Sequence, residues 1–242
     1  MSIHPKHIVV FTIDADYLPH LAAALMSFVE HHDDAEKVSV GLIFRGGCKN
    51  EIEALVHFFT TKGLEIVVQN VESYLADVEV GHHFNQVIFY RFLAPSLFKN
   101  YEKILYLDSD ILFLDNILDI FNLDLGTSTL AAVEKTDLSG VPPHLKNYID
   151  RYFASGLLLI DPQKFVEQAI EDKCVDYLKN YYFEMPDQDA LSFVVRDFVS
   201  VDPSYSVDTS FLNQETSKYY FSKKPNIIHF SGSSKPWHMN NN

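Results

Sequence analysis

The sequence predicts an α/β fold of Rossmann type, on three observations. Short β-branched apolar runs punctuate the chain, segments of helical period separate them, and glycines close several of the joints. Residues 8–13 (Ile-Val-Val-Phe-Thr-Ile) read as a buried strand. After Pro19, Leu21, Leu25, Phe28 and Val29 recur at three- and four-residue spacing and mark an amphipathic helix. Residues 38–44 form a second strand that stops at Gly46-Gly47. Ile52, Leu55, Val56 and Phe59 make the next helical stripe, which ends near Gly63, and residues 64–68 are a third strand. This β-α-β-α-β series predicts parallel strands with right-handed crossovers.

A polar loop with His82-His83 follows, then a helix expected over residues 86–98 and a strand over 103–107. Residues 130–133 and 157–160 are two further short strands. Asp161-Pro162 reads as an N-cap with proline in the first turn, opening a helix expected to run to about Asn180. Residues 187–195 form another helix and 227–230 a last strand. No internal repeat or Gly/Ser/Pro-rich linker interrupts the chain. The expectation is one domain over residues 1–239, with the Asn240–Asn242 tail outside it.

Composition narrows the function. Of 242 residues, 47% are hydrophobic and 21% charged, which suits a folded chain with a substantial core and excludes disorder of the chain as a whole. The 19 basic residues against 33 acidic ones leave a net charge of −14. That balance argues against a nucleic-acid partner, which needs a basic face to displace counterions. A phosphate ligand would have to be held locally, by a metal or a few placed cations. Cys48 and Cys174 are too few for a disulfide framework and read as free thiols in a reducing compartment. No apolar run reaches the roughly 18–20 residues of a membrane span. The first apolar stretch runs into Asp14 without a signal-peptide cleavage pattern. A cytoplasmic protein is expected.

The chemistry concentrates in two places. In residues 103–114, apolar residues flank Asp108-Ser109-Asp110. Two carboxylates at i, i+2 point the same way if the backbone stays extended. Burying such a pair requires something cationic between them, and the carboxyl end of a parallel strand is where open α/β sheets bind ligands. Helix-capping or turn carboxylates are the alternative. Near the end lies Ile228-His229-Phe230-Ser231-Gly232-Ser233-Ser234-Lys235-Pro236-Trp237. His229 offers an imidazole, or serves as a structural histidine. Gly232 lets backbone N–H groups approach a phosphate, and Lys235 offers a point charge.

These two segments resemble glycosyltransferase family 8, which includes glycogenin and the bacterial lipopolysaccharide galactosyl- and glucosyltransferases. Other landmarks agree in order and spacing: Phe11-Thr-Ile-Asp14-Ala-Asp16-Tyr17, Phe89-Tyr90-Arg91 and Asp187-Gln188-Asp189. The resemblance spans residues 7–238. It implies a GT-A fold, a single Rossmann-like mixed sheet flanked by helices. It also implies a UDP-sugar donor, a glycan acceptor, manganese (magnesium as the alternative) and transfer of galactose or glucose with retention. A role in surface-polysaccharide or lipopolysaccharide synthesis follows from it, with contact to the inner membrane face through a lipid-linked acceptor.

By position, Asp108, Asp110 and His229 are expected to bind the metal. Asp14, Asp16 and Tyr17 sit at the uracil and ribose, and Ser109, Gly232 and Lys235 complete the donor site at its phosphates. Arg91 and Asp187 contact the donor sugar, with Gln188 beside the anomeric carbon. Where the family commonly has Asn-Ala-Gly or Asn-Ser-Gly, this chain has Ala154-Ser155-Gly156. Either Ser155 or a water replaces the missing amide, or donor choice differs, or activity is weak. Glu134 is a candidate acid near the sugar. A nucleotide-sugar-binding protein with little transferase activity is the rival. A nucleotidyltransferase is disfavoured, because the turn after the first strand is acidic and lacks glycine. His82-His83 and Tyr181-Tyr182 are given no role.

Overall fold

The computed structural model describes residues 5–71, 74, 85–209, 224–232 and 235–238. His82 and His83 lie outside them. The first half alternates as the apolar pattern predicts: β1 (His7–Ile13), α1 (Leu18–His31), β2 (Val38–Phe44), α2 (Lys49–Thr60) and β3 (Glu65–Asn70). The segment 86–98 is not one α-helix. A 3-10 turn, Gln86–Phe89, capped by the Asn85 side chain, leads into α3 (Tyr90–Leu97). Then come β4 (Lys103–Leu107), β5 (Ile111–Phe113), β6 (Leu130–Lys135), α4 (Pro143–Lys146) and β7 (Tyr152–Ile160). The chain continues through α5 (Pro162–Glu167), α6 (Ile170–Asn180), α7 (Pro186–Val194), β8 (Val199–Ser200), β9 (Val207–Asp208) and β10 (Ile227–His229).

The main sheet runs β3-β2-β1-β4-β7-β6-β8. β1, β2, β3 and β4 are parallel, while β7 lies antiparallel to both β4 and β6. The sheet is therefore mixed. Both faces of its centre are covered. Val9, Phe11, Leu105 and Leu107 pack with Leu21, Leu25 and Phe28 of α1, and Ile8, Val10, Ile104 and Tyr106 with Phe92, Phe165 and Tyr177. Double coverage explains why the central strands read as continuous apolar runs and not as alternating ones. Cys48 and Cys174 are buried free thiols.

Two expectations need correction. The helix predicted from Pro162 to about Asn180 breaks at Ala169, which takes a left-handed φ of 51°. The buried residues explain why. Phe165 and Ile170 are five positions apart, about 140° out of phase on one helix, so the chain restarts to bury both. β7 begins at Tyr152, not at Leu157, because a register shift in β6 lets Glu134 and Lys135 pair with Phe153 and Tyr152. The weak strand formers Ala154, Ser155 and Gly156 hid this extension.

A second, three-stranded sheet, β5-β10-β9, sits beside the first. Its pairing sets His229 opposite Ile111, so residues 118 positions apart become neighbours. β1 and β4 adjoin at the centre of the main sheet, where the strand order runs outward in both directions. Such a switch point opens a crevice at the carboxyl ends of the strands. Asp14 follows β1 there and Asp108 follows β4.

Candidate active site

The backbone does not stay extended through Asp108-Ser109-Asp110. β4 ends at Leu107, and 108–110 form a bend before β5. The carboxylates nonetheless converge, because Asp108 N–H donates to Gly156 O (3.0 Å) and Phe230 N–H to Asp110 O (2.9 Å). His229 Nε2 lies 3.1 Å from Asp110 Oδ1 and 3.5 Å from Asp108 Oδ2. One ligand atom from each of Asp108, Asp110 and His229 falls within 4.8 Å of the others. Two hard carboxylate oxygens and one borderline nitrogen suit manganese, with magnesium less favoured by the imidazole. Gly156 is the floor of this cradle. A Cβ there would stand 2.6 Å from His229 Cε1 and 2.8 Å from Asp108 Oδ2.

Each acid has a cation. Lys235, itself buried, donates to Asp110 Oδ2 and to Phe230 O. Burial pushes the Asp110 carboxyl up. The bond from His229 and the charges of His229 and Lys235 outweigh that and hold it at about 2. For His229, burial favours the neutral ring, but Asp110, Asp108 and Asp208 raise its pKa above the ordinary value. Arg91, 4% exposed, reaches Asp108 Oδ1 (3.1 Å), Asp187 Oδ2 (2.9 Å) and Ser155 O (2.7 Å). Tyr106 O–H donates to Asp108 Oδ1 (3.0 Å). Its single proton is then committed, so Thr12 is the donor in the 3.0 Å bond between the two hydroxyls.

Asp187 and Gln188 open α7. Asp187 Oδ2 accepts from Ser155 Oγ (2.6 Å), and Gln188 Oε1 accepts from Ser155 N–H (3.2 Å). The proton of the Ser155 hydroxyl is therefore committed to Asp187. Asp189 is fully buried and structural: it accepts from Tyr152 O–H (2.6 Å) and from the backbone N–H groups of Glu184 (2.8 Å) and Met185 (3.0 Å).

Asp14 Oδ1 accepts from Tyr17 N–H (3.0 Å), and Asn85 donates to its other oxygen. Asp16 is exposed on the same turn. Burial, joined by the charges of Asp110, Asp108 and Asp14, pushes the Tyr17 phenol up to about 12, which places Tyr17 within the field of the acidic pair. Ser109 is buried beside that pair. Gly232 adopts φ 76°, a left-handed conformation that glycine takes without strain, and open space adjoins it.

Sequence reasoning thus named most of the cluster. It missed Tyr106, Thr12 and Asn85, whose polar atoms carry no motif. Glu134 is not free for a sugar: Arg151 grips both its oxygens (3.0 and 2.7 Å), and Ser200 donates to it. A groove of about 510 Å³ between α6 and α7 contains Tyr177, Tyr181 and Phe193 but none of the site residues above.

Residues 8–241 match Glycosyl transferase family 8. General stress protein A of Bacillus subtilis is 28% identical over 96% of this chain and 87% of its own length. The lipopolysaccharide 1,2-glucosyltransferase of Escherichia coli K12 is 22% identical over 95% of this chain and 72% of its own. Glycosyltransferase GlyE of Streptococcus pneumoniae is 30% identical over 65% of this chain, and the match spans only 38% of GlyE. The crystal structure of galactosyltransferase LgtC superposes with a TM-score of 0.81 at 21% identity, covering 96% of this chain and 90% of LgtC. The fold is the GT-A fold of that structure. The family match and the lipopolysaccharide glucosyltransferase relative define the class as glycosyltransferase. The chain belongs to glycosyl transferase family 8.

Proposed function

We propose that this chain is a manganese-dependent, retaining transferase that moves galactose or glucose from a UDP-sugar to a glycan acceptor. The observation that carries the reading is the convergence of Asp108, Asp110 and His229, distant in sequence, on one point beside Lys235. Those three residues would hold the ion. When bound, it supplies Lewis-acid neutralisation of charge on the diphosphate. Lys235 adds a point charge to the same leaving group, an electrostatic contribution of about several kcal/mol when water is excluded. Asp14, Asp16 and Tyr17 are assigned to the nucleoside, and Ser109 and Gly232 to the phosphate wall. Arg91, Asp187 and Gln188 are assigned to the sugar.

Retention requires either a covalent nucleophile or attack from the leaving-group face. Gln188 is a neutral amide and a poor nucleophile. Asp187 is bound by Arg91 and Ser155, and Asp189 is saturated by three donors. That favours front-face attack, with the leaving phosphate oxygen taking the acceptor's proton and Gln188 stabilising positive charge. Trapping a glycosyl adduct on Asp187 or Asp189 by mass spectrometry would overturn it.

A lipopolysaccharide-type acceptor is the reading suggested by the Escherichia coli relative. No helix among the described residues is long and apolar enough to cross a membrane, so a lipid-linked acceptor would be met at the membrane surface. Ala154 favours a second reading, a sugar-nucleotide-binding protein of low turnover, since the neighbouring Ser155 has its hydroxyl proton committed to Asp187 and cannot donate in place of the amide. One screen tests both. Manganese-dependent UDP-sugar binding, lost in Asp110→Ala and His229→Ala by calorimetry, together with UDP release, supports the transferase. Binding without UDP release supports the second reading, and binding unchanged in both variants refutes the site.

A further inference from the structure

Resting on the donor reading above, we infer that His20 is a positioning residue that joins the two halves of the donor site. It carries no motif and lies on the first turn of α1. Its imidazole stacks on Trp237 with ring centroids 3.7 Å apart and planes 22° apart, and meets Tyr17 edge-on at 5.4 Å. Burial lowers its pKa below the ordinary value, Lys235 and His238 adding to that and Asp110 opposing it.

Trp237 passes the contact on. Its ring packs edge-on against Phe230 (6.1 Å), the residue after His229, and Lys235 Nζ stands 5.9 Å from its centroid. One imidazole thus ties Tyr17, assigned to the nucleoside, to the segment that brings His229 and Lys235 to the phosphates. Behind the stack lies a cavity of about 160 Å³, lined in part by Ala23, Ile111 and Leu112. The Trp237 ring therefore sits between its contacts with His20 and Phe230 and this cavity. A Lys235 that turns from Asp110 to a diphosphate gives up a tie of its own segment. The stack on His20 then keeps Trp237 seated while the lysine works.

The single tryptophan of the chain makes this measurable, because intrinsic emission reports Trp237 alone. His20→Ala should red-shift that emission without ligand and weaken UDP binding in manganese about tenfold. The donor KM should rise in parallel and kcat stay within about twofold. His20→Phe, which keeps a flat ring, should restore all three values. Unaltered emission in His20→Ala, or UDP affinity equal to wild type, overturns the inference while the donor reading stands. Loss of UDP affinity in both variants alike also overturns it, since stacking would then not be the cause. If wild type itself shows no manganese-dependent UDP binding, the donor reading fails, and this inference with it.

Discussion

Two stretches of this chain share one pattern and do opposite work. Asp108-Ser109-Asp110 and Asp187-Gln188-Asp189 both place carboxylates two residues apart. On the bend after β4 the two acids converge, within reach of one imidazole. In the first turn of α7, residues two apart are rotated by about 200°, and the acids diverge. Asp187 turns to Arg91 and Ser155, and Asp189 to Tyr152 and the backbone of its own helix start. Spacing alone does not make a ligand pair; the backbone beneath it does. Arg91 bridges the stretches by holding Asp108 and Asp187 at once.

The sharpest way to break the comparison is to neutralise one acid in each stretch. Asp110→Asn keeps the shape, but it replaces one acceptor oxygen by an NH2 and removes the charge that the metal needs. UDP release from the donor by the folded fraction should fall at least about 10³-fold, equivalent to about 4 kcal/mol of lost stabilisation, beyond any loss of stability from weakening the buried pair with Lys235. Asp189→Ala should do the reverse. It leaves the Tyr152 hydroxyl and two helix-start N–H groups without an acceptor, so unfolding in urea should become easier by about 3 kcal/mol. Manganese-dependent UDP affinity of the folded fraction should stay close to wild type. Equal loss of UDP binding in both variants would mean that the second stretch belongs to the metal site after all.

A smaller effect is expected where the first stretch rests on β7. Gly156→Ala adds a Cβ that must displace the His229 ring or the Asp108 carboxylate. Metal affinity by calorimetry should weaken about 10- to 100-fold, the usual cost of disturbing the groups that orient ligands. Global stability should change less than in Asp189→Ala. Unchanged metal affinity would show that the cradle floor does not set the ligand geometry.

The central sheet was legible because strands buried on both faces write apolar runs into the sequence, as residues 8–13 and 103–107 do. The bend at Asp108 and the sheet of β5, β9 and β10 were not, since strands of two or three residues carry no period. The acids, the imidazole and the lysine were each visible as residue types. Their meeting was legible only through the family resemblance, because it depends on β10 pairing with β5 across more than a hundred residues. His20 shows the limit most plainly: as one polar residue on an amphipathic helix it gives no signal until Trp237 is stacked on it. The break at Ala169 was readable in principle, from the five-residue step between Phe165 and Ile170.

The smallest expected effect is a gain, and it concerns the strand that both acidic stretches share. Ala154 is half-buried in β7 beside Ser155, whose N–H, O–H and C=O hold Gln188, Asp187 and Arg91 respectively. Residue 154 thus lies on the strand that holds Asp187 and Gln188, the groups proposed to meet the sugar, and is not one of the proposed metal ligands. Ala154→Asn adds an amide there at no cost to the Ser155 contacts. One added neutral hydrogen bond to the donor sugar is worth about 0.5–1.5 kcal/mol, so kcat/KM for the preferred UDP-sugar should rise about 2- to 10-fold. Manganese and free UDP affinities should stay the same, because neither contacts the sugar position. A rise in UDP affinity would instead place residue 154 at the nucleotide. No change with any UDP-sugar would separate residue 154 from donor-sugar recognition and leave that role to Arg91, Asp187 and Gln188.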